Sequence, residues 1–178
     1  MTGSVLGVVL AGGRSTRFGS DKAEAVYEGR SLLEHAIATL SLHCDDVVVA
    51  GRNVAPVRTV PDWPRVGMGP LGGLAGGLRE GAEKGFHAVL SVGVDCLGLP
   101  ANLHKLLSPA PSFLRDQPVV GLWPVEALQV LEAILADGGS RSVRRFAEFI
   151  GARPVELETP LANINTPAAL ACYAGSNG

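Results

Sequence analysis

Short apolar runs alternate along the chain with segments whose apolar positions repeat at helical spacing. Runs at residues 6–10, 47–50 and 87–94 are typical of strands that are buried on both faces of a parallel sheet. Ser31 and Glu34 form a capping-box pattern ahead of apolar positions three and four residues apart, which predicts a helix. This alternation predicts an α/β fold, with a mainly parallel sheet and helices on both faces.

The second half of the chain repeats the pattern less regularly. A strand is predicted over residues 119–123 and a helix over 127–135, and Ser140 is placed to cap the next helix. The last helix is predicted to begin at Pro167, with the preceding threonine as its N-cap. Residues 108–118 are rich in proline and are predicted to be irregular.

Composition narrows the classes of function. The chain has 178 residues, of which 47% are hydrophobic and 18% charged, so we expect a single globular domain over residues 1–178. A formal net charge of −2 argues against a broad basic face for nucleic acid, and 5% aromatic residues argue against a stacking platform for single strands. No apolar run reaches the roughly 18 residues of a membrane span, so no membrane partner is expected.

The numbers of cysteine and glycine residues lead to two further expectations. The three cysteines are odd in number and lack the spacing of metal ligands, which favours a reduced, cytoplasmic compartment. The 23 glycines are well above the ordinary usage of about 7%, and we expect the excess to lie in loops that need backbone freedom.

A glycine-rich loop follows the first predicted strand and carries the clearest chemical signal. Residues 11–19 would expose backbone N–H groups, and Arg14, Arg17 and Lys22 add three cations, a combination that favours phosphate binding. A solvated basic turn is the alternative. The spacing matches neither the dinucleotide-binding pattern G-x-G-x-x-G nor the Walker pattern G-x-x-x-x-G-K-[ST].

Asp95 stands at the end of the third predicted strand, where ligands bind in open α/β sheets. A carboxylate there can hold Mg²⁺, which also binds substrate phosphates. A cap on the following turn is an equally good interpretation of the same residue.

Residues 10–23, L-A-G-G-R-S-T-R-F-G-S-D-K-A, resemble the signature loop of the molybdenum cofactor guanylyltransferases, the MobA family. Further segments are similar to motifs of that family, in the same order along the chain: residues 69–74, 94–100, 117–123, 139–146 and 163–167. The sequence departs from the family pattern at Val94 and Leu97, on either side of Asp95 and Cys96, and it is short over 108–116.

The resemblance implies a three-layer, Rossmann-like nucleotidyltransferase fold. It also implies an enzyme that transfers GMP from GTP to the molybdopterin-bound molybdenum cofactor and releases pyrophosphate, with Mg²⁺. Molybdoenzymes that receive the finished cofactor would be further partners. Cytidylyl transfer to the cofactor, nucleotidyl transfer to a sugar phosphate, or a catalytically silent module that binds nucleotide or cofactor remain alternatives.

The family motifs also imply roles for individual residues. The residues implied in nucleotide binding are Leu10, Ala11, Gly12, Gly13, Arg14, Lys22, Asp62 and Asp95. Of these, Lys22, Arg14 and Asp95 would act in catalysis, and Asp95 would carry the metal. The residues implied on the acceptor side are Asn163, Asn165 and Arg141, although arginines 141–145 could equally form a solvated helix face. Residues 49–53 are the expected neighbourhood of the group that selects the base.

Overall fold

The structure is a computed structural model that describes residues 3–12, 21–138 and 142–176, apart from the side chain of Asn163. The strands in these ranges are β1 Val5–Leu10, β2 Val26–Tyr27, β3 Arg30–Ser31, β4 Asp46–Ala50, β5 Thr59–Val60, β6 Ala88–Gly93, β7 Cys96–Leu97, β8 Ser112–Leu114, β9 Gly121–Pro124, β10 Arg153–Val155 and β11 Ala162–Asn163. The α-helices are α1 Leu32–Ser41, α2 Gly69–Lys84, α3 Leu103–Leu107, α4 Ala127–Ala136, α5 Val143–Phe149 and α6 Pro167–Ser176.

Seven strands form the main sheet, in the order β10-β8-β9-β6-β1-β4-β5. Strand β9 runs antiparallel to both of its neighbours, and the other neighbouring pairs are parallel. Two small antiparallel pairs, β11-β7 and β2-β3, lie outside this sheet. The mainly parallel sheet predicted from the sequence is therefore confirmed.

The central strand β1 shows how the helices cover both faces of the sheet. Its side chains point alternately to opposite faces, as the pleat of a strand requires. Leu6 and Val8 belong to the apolar cluster that also contains buried residues of α2, α4 and α5. Val5 and Val9 belong to a second cluster, with buried residues of α1 and α3. The result is the expected three-layer arrangement.

Helix α2 corrects the expectation that the glycine excess lies in loops. Several of its glycines are buried against the sheet, where a Cβ atom would collide with a neighbour. A Cβ on Gly76 would lie 2.1 Å from the carbonyl oxygen of Pro61, and one on Gly77 would lie 2.5 Å from Val8 Cγ2. These glycines let the helix axis approach the sheet more closely than any side chain would allow.

The structure contains most of the helix N-caps that the sequence predicts. The capping box is present, because Glu34 N donates to Ser31 Oγ at 3.1 Å and Ser31 N donates to Glu34 Oε2 at 2.8 Å. The N-cap of α5 is Ser142, whose hydroxyl accepts from Arg145 N at 3.4 Å. Ser140, which was predicted to cap this helix, lies outside the described residues.

The largest difference between the predicted and the observed secondary structure lies in the proline-rich stretch 108–118, which was predicted to be irregular. It contains β8, which lies in the main sheet between β9 and β10. Strand β9 begins at Gly121, two residues later than the predicted strand start.

No helix within the described ranges is long and apolar enough to cross a membrane.

Candidate active site

The carboxyl ends of three neighbouring parallel strands meet at one edge of the main sheet. Leu10, the last residue of β1, is in register with Ala50 of β4 and with Gly93 of β6. Ligands of open α/β sheets bind beyond this edge. The loops that follow these three strands contain most of the residues implied in nucleotide binding.

The chain leaves β1 in close contact with the segment that follows β4. Ala11 N donates a hydrogen bond to Ala50 O at 3.0 Å. Gly51 has a φ of +84°, and a Cβ atom there would lie 2.4 Å from Gly12 Cα. A side chain at Gly51 would need both a left-handed backbone and the space that Gly12 occupies. This main-chain contact holds the start of the glycine-rich loop against the end of β4.

Lys22 is the centre of the best-defined polar cluster at this edge. Its Nζ donates to Asp95 Oδ2 at 3.0 Å and to Asn165 Oδ1 at 2.9 Å. The side chains of Lys22 and Asp95 are only 13% and 24% exposed, so the ion pair is partly shielded from water. The three residues come from distant parts of the chain, 73 and 143 positions from the lysine. Residues implied on the nucleotide side and on the acceptor side therefore meet here.

The backbone that carries Lys22 is braced by local and long-range contacts. Lys22 begins a single 3₁₀ turn over Lys22–Glu24, and Asp21 caps this turn by accepting from Ala23 N at 3.1 Å. Arg52, just after β4, forms ion pairs with Asp21 at 2.6 Å and with Glu24 at 2.7 Å. From the sequence, residue 52 was expected only in the neighbourhood of the group that selects the base. Its contacts indicate that it anchors the segment carrying the lysine.

Asp95 and Asn165 are brought together by the small β7-β11 pair. Strand β7 follows Asp95 directly, and strand β11 pairs with it in antiparallel register. Ile164 N then donates to the carbonyl oxygen of Asp95 at 3.1 Å, and the Ile164 side chain is buried. Thr166 Oγ1 accepts from Ala169 N at 3.1 Å and caps α6, as predicted. Asn165 is thus fixed between a strand and a helix start.

Cys96 lies beside the cluster but is unsuited to act as a nucleophile. Its Sγ is 3.7 Å from Asp95 Oδ1, and the residue is buried. Burial, and then the negative charge of Asp95, raise the pKa of the Cys96 thiol to about 12. The thiol is therefore protonated at neutral pH, whereas nucleophilic cysteines react as thiolates.

Asp62 lies apart from the lysine cluster, on the side of β5 and α2. Its Oδ2 accepts from Gly67 N at 3.1 Å and closes the loop that leads into α2. A Cβ atom on Gly73 would lie 3.7 Å from Asp62 Oδ1 and 3.1 Å from Leu10 Cδ2. Asp62 is therefore next to the end of β1, and its implied role in nucleotide binding stays a prediction.

Four of the implied site residues cannot be compared with the structure in full. Gly13, Arg14 and Arg141 lie outside the described residues, as does the side chain of Asn163. The backbone of Asn163 is in β11, in register with Cys96. The roles implied for these four residues stay predictions.

The donor set around Lys22 suits a hard cation. Asp95 and Asn165 contribute a carboxylate and an amide oxygen to the same small region. Mg²⁺ prefers oxygen ligands and is usually held by one or two carboxylates together with substrate phosphates. Across the described parts of the chain, no three His, Cys, Asp or Glu side chains come together as a metal site. The carboxylate of Asp95 and the amide oxygen of Asn165 are therefore oxygen donors that suit a divalent metal ion.

Comparison with known proteins identifies the family. The family model of the MobA-like NTP transferase domain matches residues 7–153. This chain belongs to that family. The molybdenum cofactor guanylyltransferase of Acidiphilium cryptum (strain JF-5) is 37% identical over an alignment of 178 positions that covers 92% of this chain and 90% of that protein. The chain is accordingly a nucleotidyltransferase.

Solved structures share the fold at much lower sequence identity. Molybdopterin-guanine dinucleotide biosynthesis protein A from Archaeoglobus fulgidus superposes with a TM-score of 0.72 at 20% identity, covering 97% of this chain and 98% of that chain. CTP:phosphocholine cytidylyltransferase from Streptococcus pneumoniae gives a TM-score of 0.72 at 14% identity, covering 98% and 100%. The nucleotidyltransferase fold implied by the sequence motifs is thereby confirmed.

Proposed function

We propose that this chain transfers GMP from GTP to the molybdopterin-bound molybdenum cofactor and releases pyrophosphate. Membership of the family supplies the reaction class, and the name of the 37% identical relative supports a guanylyl group as the group transferred and the molybdenum cofactor as the acceptor. The observation that carries the proposal is the cluster in which Lys22 Nζ contacts both Asp95 and Asn165. A cation and a candidate metal ligand stand where the implied nucleotide and acceptor residues meet.

The proposal treats residues 1–178 as one nucleotidyltransferase domain with two functional halves. The amino-terminal half would bind the nucleotide through Leu10, Ala11, Gly12, Gly13, Arg14, Lys22 and Asp62. The carboxy-terminal half would bind the acceptor through Asn163, Asn165 and Arg141. The reaction would take place in the cytoplasm, and molybdoenzymes would receive the product.

The chemistry requires positioning and charge compensation more than a strong base. The acceptor oxygen belongs to a phosphate monoester, which is largely ionised near pH 7 because its second pKa is about 6. This oxygen forms a bond to the α-phosphorus of GTP as the bond to the β-phosphate oxygen breaks, and pyrophosphate leaves with that electron pair. Lys22, and Arg14 as implied by the motif, would offset the repulsion between the two anions.

Asp95 would hold Mg²⁺, with the amide oxygen of Asn165 within reach of the same ion. Bound there, Mg²⁺ would neutralise charge on the triphosphate. The ammonium group of Lys22 forms an ion pair with Asp95, since the two groups are 3.0 Å apart. A triphosphate would offer this ammonium group a second set of anionic partners.

Nucleotide choice is the first test of the proposal. The purified protein is titrated with GTP, CTP, ATP and UTP in the presence of Mg²⁺, and binding is followed by calorimetry. We expect clear preference for GTP. Preference for CTP would assign the chain to cytidylyl transfer, and equal binding of all four nucleotides would contradict guanylyl transfer.

Asp95→Asn tests the metal ligand in the transfer reaction. The change keeps the size of the side chain and an oxygen that Lys22 can contact, but it removes a negative charge. We expect transfer, measured as pyrophosphate released from GTP in the presence of molybdenum cofactor, to fall at least about tenfold. Asp137→Asn, an exposed position just after α4, is the matched control. Wild-type transfer by the Asp95 variant would contradict the assignment.

A further inference from the structure

Two carboxylates flank the lysine that is proposed to bind the triphosphate. Asp21 directly precedes Lys22, and Glu24 follows it by two positions on the same 3₁₀ turn. Residues 21–24 therefore carry two acidic side chains and one basic side chain. A triphosphate is strongly anionic, and uncompensated carboxylates this close to its binding site would oppose its binding.

Arg52 pairs with both carboxylates at once. Its Nη1 donates to Asp21 Oδ2 at 2.6 Å, and its Nη2 donates to Glu24 Oε1 at 2.7 Å. The remaining nitrogen, Nε, donates to the carbonyl oxygen of Val54 at 3.5 Å. A planar guanidinium can form such a fork, whereas the ammonium group of a lysine is a point charge. Every nitrogen of this guanidinium thus faces an acceptor, and its charge offsets the two carboxylates.

The carboxylate of Asp21 connects the arginine to the geometry of the turn. Its Oδ1 accepts from Ala23 N at 3.1 Å and caps the 3₁₀ turn, while its Oδ2 accepts from Arg52. The backbone of Lys22 lies between the residue that caps the turn and the residue that is capped. The ion pair therefore helps to set the direction in which the lysine side chain leaves the turn.

The turn is held from both sides of the central strand β1. Strand β4 lies on one side of β1, and β6 lies on the other. Arg52 follows the end of β4 and pairs with Asp21 and Glu24, whereas Asp95 follows the end of β6 and pairs with Lys22. Loss of the arginine would remove the ion pairs on the β4 side and leave the contacts of the lysine on the β6 side.

We infer, on the basis of the proposed function, that Arg52 is a positioning residue for GMP transfer. It offsets the negative charges of Asp21 and Glu24, so that the charge of Lys22 can act on the triphosphate. It also fixes the turn, so that the ammonium group is directed at the reacting phosphate. Arg52 acts through these neighbours and does not contact the substrate, because its own nitrogens are already paired.

A purely structural role is the alternative, and a second arginine provides the comparison. Arg58, just before β5, also pairs with two carboxylates, with Asp46 at 2.5 Å and with Glu80. Asp46 is the first residue of β4, whereas Arg52 follows the end of that strand. Partly exposed ion pairs contribute little to folding stability. Arg52→Gln and Arg58→Gln should therefore have similarly small effects on stability, and only the first should weaken phosphate binding.

Inorganic tripolyphosphate is the probe, because it can occupy a triphosphate site without a base or an acceptor. It is titrated with Mg²⁺ into the full chain and its variants, and binding is followed by calorimetry. We expect Arg52→Gln to lose at least about tenfold in affinity and the matched control Arg58→Gln to bind like the wild type. Glu24→Gln alone should change the affinity less than about threefold, whereas added to Arg52→Gln it should restore most of the loss.

Arg52→Lys separates the charge of the arginine from its geometry. A lysine keeps the positive charge but cannot hold both carboxylates in one planar fork. We expect the affinity for tripolyphosphate and the KM for GTP to stay within about threefold of the wild type, and kcat for GMP transfer to fall at least about fivefold. A purely structural role would not divide KM from kcat in this way.

Several results would overturn the inference. They are an absence of tripolyphosphate binding by the wild type, wild-type affinity in Arg52→Gln, no recovery in the double variant, an equal loss in Arg58→Gln, or wild-type kcat in Arg52→Lys. If Arg52→Gln does not fold, the kcat of Arg52→Lys decides alone. Failure of the proposed function has a different signature, because GTP would then lose its preference over the other nucleotides while the effect of Arg52→Gln on tripolyphosphate binding persisted.

Discussion

The two halves of the sheet edge are built in different ways. On the side that is proposed to bind the nucleotide, here called the nucleotide side, β1 has six residues, all buried, and the 16-residue helix α2 packs against it through glycines. On the side that is proposed to bind the acceptor, here called the acceptor side, β8, β10 and β11 have only two or three residues each, and α6 has no buried side chain among those described. The first half is held by close main-chain packing, and the second by pairings between distant short segments.

This difference has a consequence for how each half responds to substitution. A tightly packed backbone contact leaves no room for even one added methyl group. Short strands at the edge of a sheet carry few buried contacts and open more readily. Substitutions on the nucleotide side are therefore expected to change stability, and those on the acceptor side to change binding.

Gly76→Ala is expected to have the largest effect. The added Cβ would lie 2.1 Å from the carbonyl oxygen of Pro61, and this backbone atom cannot move aside as a flexible side chain would. We expect the free energy of unfolding to fall by about 3 kcal/mol, the upper part of the range for overpacked sites. Urea denaturation followed by circular dichroism measures this loss.

Gly175→Ala in α6 is the matched control, because a Cβ there would have no described neighbour within 4 Å. In a helix interior, Gly to Ala gains up to about 1 kcal/mol from helix propensity. A Gly76 variant as stable as the Gly175 variant would show that α2 does not depend on close approach to the sheet.

Lys22→Ala is expected to have the second largest effect, since it acts where the two halves meet. Loss of the ammonium group removes charge compensation at the triphosphate, and we expect kcat/KM for GMP transfer to fall at least about tenfold. Asn165→Ala removes one of the two hydrogen bonds to Lys22 Nζ and should cost only a few-fold.

The control for both variants is Lys84→Ala, an exposed lysine at the end of α2. If Asn165→Ala reduced transfer as much as Lys22→Ala, the amide would have to contact the reacting groups itself. Unchanged kinetics in the Lys22 variant would contradict the interpretation of the loop as a phosphate site.

The contrast between the halves also explains what could be predicted from the sequence. The strands at residues 5–10 and 46–50 and the capping box at Ser31 are local patterns, and a local pattern is visible in sequence. The glycines of α2 were visible in the sequence too, but the sequence did not show that they let the helix pack closely against the sheet. Close approach of a helix to Pro61 depends on a contact between segments more than ten residues apart.

The acceptor side was predicted less well for the same reason. Strand β8 was predicted to be irregular because its three residues carry no period of their own, and its place is set by pairing with β9 and β10. Likewise, the bond between Asn165 and Lys22 joins residues 143 positions apart. A resemblance to family motifs could name both residues, but only the fold shows that they touch.

The smallest expected effect concerns His43, which follows the end of α1. Its Nε2 is buried without a hydrogen-bond partner among the described residues. Burial, and then the charge of His104, lower the pKa of His43 below its usual 6.5. The folded state then binds fewer protons than the unfolded state, so this stabilisation is present above about pH 6.5 and is lost as the pH falls through the folded-state pKa.

We expect urea midpoints of the wild type to decline below pH 6.5, and His43→Gln to flatten part of that decline. His87→Gln, at an exposed position, should leave the wild-type slope in place, and equal slopes for both variants would contradict the role of burial at His43.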